Sequence, residues 1–184
     1  MPPSPSDAKQ HKDGDMVAVL VADCDPPTMN VFRAVEALFN RSGIDCVWLC
    51  PLPSSSPDHA RNMASLLCMD FSAAGKQVSL CSAALDKNMD PAMLAKWCRE
   101  RFPALRFRLA SVQPLAVQDR ERTLFLVFGS GAAPHGADGV SLGKFVAAPD
   151  DVKERIARGE DRSRDFVPAV WGYVQKNRLY RNKK

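Results

Sequence analysis

Between Met16 and Ala22 the chain is apolar at every position. The turn residues Asp23-Cys24-Asp25-Pro26-Pro27 follow, and then a helix opening at Thr28. A strand with one wet face would alternate, so an unbroken apolar run points to a parallel strand covered on both faces. A strand that turns this tightly into a helix makes a βα unit. It also points the free N–H groups of the helix N-terminus at the end of the strand, where an anion can sit.

The alternation continues along the chain. Thr28 is a plausible N-cap, Val31, Val35, Leu38 and Phe39 fall at helical spacing, and Gly43 ends a helix over 28–41. A second strand is expected over Ile44–Cys50, closed by Pro51 and Pro53, and a helix over Ser56–Phe71 built on Met63, Leu66 and Leu67. Gln77–Cys81 reads as a short strand. Asp90-Pro91 has the N-cap and first-turn pattern of a helix that runs to Phe102 and stops at Pro103. Leu105–Val112 and Thr123–Phe128 read as strands, Gly131–Gly143 as a Gly/Ala-rich loop, and Lys144–Ala148 as a short strand. Helices over Asp150–Arg158 and from Val167-Pro168 to Asn177 complete the pattern. This order predicts a single-domain α/β fold, a doubly wound parallel sheet with right-handed crossovers, over residues 16–180. Ligands in such sheets lie at the carboxyl ends of the strands. A polar tail, 1–15, is expected to be disordered or ordered by a partner, and 181–184 to be a basic tail.

At 184 residues the chain can build one sizeable core. Its net charge of +4, from 25 basic and 21 acidic residues, is too small to mark a nucleic-acid-binding surface by itself, although the basic C-terminus keeps RNA or an acidic partner open. No run approaches the roughly 20 apolar residues of a membrane span, and the first fifteen residues lack the apolar stretch of a secretory signal. The expectation is an intracellular protein without membrane attachment, cytoplasmic first, with a mitochondrial address left open. The six cysteines, Cys24, Cys46, Cys50, Cys68, Cys81 and Cys98, lack C-x-x-C spacing, and His11, His59 and His135 lie far from any cysteine pair. Reduced, buried thiols and no structural metal are expected.

Near the C-terminus, Glu154-Arg155-Ile156-Ala157-Arg158-Gly159 is followed by Val167-Pro168-Ala169-Val170-Trp171-Gly172-Tyr173-Val174 and then Leu179-Tyr180. This package resembles the end of the nicotinate/nicotinamide mononucleotide adenylyltransferases, where R-x-x-I-x-x-G, V-P-x-x-V-x-x-Y-I and L-Y follow one another. Val47-Trp48-Leu49 with Pro51 is similar to that family's second strand, and Phe125–Ser130 to the strand ending in G-x-D. The resemblance covers most of 16–180. It implies a Rossmann-like fold of the nucleotidyltransferase type and, for an active member, attack of a mononucleotide phosphate on the α-phosphate of ATP with Mg²⁺ to make NAD or its deamido form. The protein's part in such chemistry is to position two polyanions and stabilise the transition state with donors and cations.

Against the family's G-T/S-F-x-P-x-H-x-G-H run, this chain reads Ala22-Asp23-Cys24-Asp25-Pro26-Pro27-Thr28-Met29-Asn30-Val31. The two phosphate-handling histidines fall at Thr28 and Val31, the glycine at Ala22, and a Ser/Thr at Asp23. The family's I-S-S-T-x-x-R run falls on Ala147–Lys153, with only Lys153 keeping a charge, and Gly131 replaces the G-x-D aspartate. A lysine lacks the planar fork of an arginine. The segment 131–147 is also short for a mononucleotide pocket. The remnant of the nucleotide site is expected at Asp25, Thr28, Asn30, Gly129, Ser130 and Lys153. For these residues a plain turn, an N-cap and a solvated helix lysine are the competing reading. No catalytic residue is assigned. Cys24, beside a helix start, is a weak nucleophile candidate because it has no partnered histidine. The leading expectation is a degenerate adenylyltransferase-like protein, without cofactor, that serves as a structural or interaction subunit with a protein partner, with 132–143 as a candidate contact. The alternatives are a divergent active enzyme using ATP and Mg²⁺, with Thr28 and Lys153 handling phosphate, and a nucleotide sensor without turnover.

Overall fold

The computed structural model describes residues 11–116, 122–128, 139–144 and 148–182. The chain order is β1 (Met16–Ala22), α1 (Met29–Phe39), β2 (Cys46–Pro51), α2 (Pro57–Ala73), β3 (Val78–Leu80), α3 (Ala83–Lys87), α4 (Pro91–Arg101), β4 (Arg106–Ala116), β5 (Arg122–Phe128), β6 (Gly139–Lys144), α5 (Pro149–Ala157) and α6 (Pro168–Lys176), with a 3₁₀ turn at Ser163–Asp165 before α6. The six strands form one sheet in the order β3-β2-β1-β4-β5-β6. β1 pairs in parallel with β2 and β4, and β2 with β3. This four-stranded parallel part of the sheet, flanked by helices, is a Rossmann-like α/β architecture.

The apolar run of β1 serves two cores at once. Ala18, Leu20 and Ala22 face one layer together with Val31 and Leu38 of α1, Met63 and Leu67 of α2, Val152 of α5 and Val170 of α6. Val17, Val19 and Val21 face the other, with Trp48, Ala84 of α3 and Leu94 of α4. The period of two along a strand divides one sequence run between opposite faces. β2 does the same, with Val47 and Leu49 on the first face and Cys46, Trp48 and Cys50 on the second.

Beyond β4 the sheet departs from the expected all-parallel arrangement, since β5 runs antiparallel to β4 and β6 antiparallel to β5. Residues 117–121 are all that join β4 to β5. A parallel crossover needs a dozen or more residues, so a connection this short returns the chain as a hairpin. β6 begins at Gly139, inside the stretch expected as loop, so Gly139, Val140 and Ser141 near the end of the candidate contact loop are paired to β5. Sequence patterning also missed α3, a five-residue helix too short to show a period, which Asn88 ends in the left-handed conformation at φ 50°.

Residues 11–15, expected to belong to the tail, are fastened to the body. The Gly14 N–H donates to Ala104 O at 2.8 Å, Arg106 Nε donates to Gly14 O at 2.8 Å, and the His11 ring lies 5.7 Å from that of Trp48. All six cysteines are buried and unbridged. No helix among the described residues is long and apolar enough to cross a membrane.

Leu20 is fully buried in the sheet, whereas Met93 is 52% exposed on α4. Leu20→Ala is expected to cost about 3 kcal/mol through lost burial and a residual cavity, and Met93→Ala to stay within about 0.5 kcal/mol. Urea unfolding of the two variants measures the contrast.

Candidate functional site

Four stretches of chain meet beyond the carboxyl end of β1: the turn from Asp23 to Thr28, Ser54 after β2, the first turns of α5, and Tyr180 after α6. They meet on the carboxylate of Asp25, which is only 3% exposed. Ser54 Oγ donates to Asp25 Oδ2 at 2.6 Å and the Tyr180 hydroxyl to Asp25 Oδ1 at 2.5 Å. Lys153 Nζ lies 3.7 Å from Asp25 Oδ2 and 3.5 Å from Asp150 Oδ1, and 5.7 Å from the centre of the Tyr180 ring. Lys153 and Asp150 share one face of α5 at a spacing of three residues, which brings both heads to the same side. Asp23 Oδ1 accepts from the Asp25 N–H at 2.9 Å and fixes the turn, in which the Asp25–Pro26 peptide is cis.

The electrostatics follow from that crowding. Burial pushes the Tyr180 phenol well above the usual tyrosine range, and its hydrogen bond to Asp25 adds to the shift. Burial also raises the Asp23 carboxyl. The Asp25 N–H and Lys153 oppose that shift, while the negative charges of Asp25 and Asp150 reinforce it. The Cys24 thiol is 1% exposed, and burial raises it well above the ordinary thiol value, the reverse of what an activated nucleophile requires.

The start of α1 offers few free donors to an anion. Pro26 and Pro27 carry no N–H. The Asn30 N–H points to Thr28 Oγ1 at 3.4 Å, and the Val31 N–H bonds to Thr28 O at 3.0 Å. Thr28 is 1% exposed and Asn30 6%, so both lie inside the turn and away from solvent. At the start of α5, Pro149 occupies the first turn with Asp150 and Asp151. Acidic residues there complement the helix dipole, and they also occupy the place an external anion would take.

Of the residues expected at a nucleotide site, Asp25 and Lys153 are brought into contact, while Thr28 and Asn30 form the cap of α1. Gly129 and Ser130 lie outside the described residues. Ser54 was missed, since nothing in the Ser54-Ser55-Ser56 run distinguishes the first serine. Tyr180 was visible only as part of the L-Y motif, with no sign that its hydroxyl reaches back 155 positions to Asp25. His59, in α2, has its Nδ1 2.9 Å from the Tyr173 hydroxyl, which also accepts from Asn62 Nδ2 at 3.0 Å, so it ties α2 to α6. No group of three or more His, Cys, Asp or Glu side chains among the described residues is placed to hold a metal ion. A concavity of about 700 Å³ lies between α5 and α6, lined by Ile156, Glu160, Trp171 and Arg181 among others.

No protein-family model and no curated protein sequence matches the chain. Among solved structures it is similar to a nicotinic acid mononucleotide adenylyltransferase of Plasmodium falciparum, described as complexed with APC. The TM-score is 0.59 at 12% sequence identity, over 90% of this chain and 97% of the other. At that identity the likeness is one of fold, and it places the chain among proteins with the nucleotidyltransferase-type Rossmann-like architecture.

Proposed function

We propose that this chain is a nucleotidyltransferase-fold protein that no longer transfers adenylyl groups and serves as a structural or interaction subunit of a larger assembly. The observation that carries the reading is the internal pair of Asp25 and Lys153. Lys153 is the one cation at the positions that resemble the phosphate-contacting residues of the mononucleotide adenylyltransferases, and it is already held between two carboxylates. Ser54 and Tyr180, hydroxyl donors within reach of the same place, both donate to Asp25.

An incoming triphosphate would therefore meet Asp23, Asp25 and Asp150 with a single ammonium among them. At about 4 Å and an effective dielectric of about 20, each like-charge pair repels by about 4 kcal/mol before screening. The residues present do not fit ATP as they stand, and no chemical step is derived through it or through Mg²⁺. The partner proposed is another protein.

Two other readings share the site. The fold of the Plasmodium structure supports a divergent nicotinate or nicotinamide mononucleotide adenylyltransferase in which Lys153 leaves Asp25 for phosphate. A sensor would bind a nucleotide without turning it over. Titration calorimetry of the folded chain with ATP·Mg²⁺, each mononucleotide and NAD, run beside an assay for dinucleotide formation, separates the three. No heat and no product are expected. Product that disappears in Lys153→Ala would establish the enzyme, and saturable heat without product the sensor.

Removing the carboxylate should be costly whichever reading holds. Asp25→Ala leaves the hydroxyls of Ser54 and Tyr180 without their acceptor and Lys153 without one of its two anions. The expected loss is about 3 kcal/mol in denaturant unfolding. Tyr180 also gives a pH prediction. Its folded pKa is raised, so the contribution of its neutral phenol is complete below the unfolded value of about 10 and is lost as pH rises past it. In an alkaline titration followed by tyrosinate absorbance, the wild type should show a late-ionising phenol that Tyr180→Phe lacks.

A further inference from the structure

Cys50 and Cys81 stand side by side at the carboxyl edge of the sheet. The β2–β3 register runs Val47 to Val78, Trp48 to Ser79 and Leu49 to Leu80, so these two cysteines are the next positions in line. The Cys81 N–H donates to Leu49 O at 2.8 Å and keeps the chain alongside β2 for that one residue more. Both side chains enter the same apolar cluster as Trp48 and Leu94, where the Cys50 thiol donates to Trp48 O at 3.7 Å and interacts with its neighbour Cys81. Neighbouring strands run about 4.8 Å apart, inside the Cα separation of about 4.4–6.8 Å that a disulfide spans. Cys81 lies past the last paired residue of a three-residue edge strand. The small approach that bonding requires therefore falls on the link to α3 and leaves the ladder in place.

We propose that Cys50 and Cys81 form a redox-active dithiol that hydrogen peroxide converts to a disulfide joining β2 to the end of β3. The Cys81 thiolate attacks a peroxide oxygen, the O–O bond breaks, and hydroxide leaves and is protonated to water, giving a sulfenic acid. The Cys50 sulfur then attacks the Cys81 sulfur, the S–O bond breaks, and a second water leaves with the remaining proton. Two thiols give up two electrons in total and the peroxide takes them.

The order of attack follows from the surroundings. The thiol of Cys81 is held below the ordinary value by hydrogen bonding with Cys50 and by the Ala83 N–H, against the effect of its burial. Burial raises every other cysteine: Cys46, Cys68 and Cys98 to about 12, and Cys24 and Cys50 well above the ordinary value. Cys81 also lies past the last paired residue of the edge strand, where the chain leaves the ladder, which places it to begin and Cys50, inside β2, to resolve the sulfenic acid. Burial of both selects a small neutral oxidant. The inference is independent of what the Asp25 site binds.

The test uses the folded full-length chain treated with hydrogen peroxide, alkylated, digested with trypsin without reductant and mapped by tandem mass spectrometry. The expected product links the peptide 77–87 to 42–61, with fragment ions placing the bond at Cys50 and not at Cys46, and two of the six thiols lost. Dithiothreitol should restore both thiols. Cys50→Ser and Cys81→Ser should abolish the link and Cys46→Ser should leave it. Persistence of all six thiols, a bond to Cys46 or Cys98, or sulfinic acid on Cys81 without a cross-link would overturn the proposal. The wild-type map gives that answer even if a serine variant fails to fold.

Discussion

The buried carboxylate of Asp25 is the constraint around which the carboxyl end of the sheet is arranged. An ionised group removed from water costs several kcal/mol unless partners replace its hydration. Those partners come from Ser54 after β2, Lys153 on α5 and Tyr180 after α6, and the backbone of Asp25 itself is held by Asp23. None of these stretches can move off without leaving a charge or a hydroxyl unpaired inside the protein. The interaction is therefore worth more as a fastening among distant parts of the chain than as a sum of single bonds.

That fastening rests on a sheet whose centre needs no polar help. β1 is buried on both sides and paired in parallel on both edges, so its carboxyl end is a fixed point from which the turn carrying Asp25 departs. The strand order turns back at β1, with β2 on one side and β4, reached only after β3, α3 and α4, on the other. Crevices in α/β sheets open where the order reverses in this way. In this chain Asp25, only 3% exposed, stands at that point of reversal, an anion supplied by the protein itself.

The fold was legible where apolar residues set a period. β1 was read with its exact bounds because an unbroken apolar run admits few other structures, and α4 because Asp90 and Pro91 mark its start. The antiparallel end of the sheet was not legible, since hydrophobic patterning marks strands without their direction, and direction here follows from the short link after β4. The site was legible only in part. Lys153 stood out as a retained charge, yet no local pattern discloses that its nearest anion is Asp25, 128 positions away, because that contact is fixed by the packing of α5 against β1 and α1. For the same reason Ser54 looked like an ordinary loop serine.

The competition at Lys153 bears directly on affinity. Three carboxylates around one ammonium leave this cluster negative, so a polyanion must do more than find donors. It must separate Lys153 from Asp25 and leave that carboxylate with only the two hydroxyls, in a place only 3% exposed. Each 1.4 kcal/mol changes an equilibrium about tenfold, so a penalty of about 4 kcal/mol weakens binding about a thousandfold, enough to take a micromolar site to millimolar. Relief would require Asp25 to swing out of the turn, and Asp23, which grips its N–H, opposes that. The fold thus depends on apolar periodicity and ligand choice on a handful of charges, so the two are set independently.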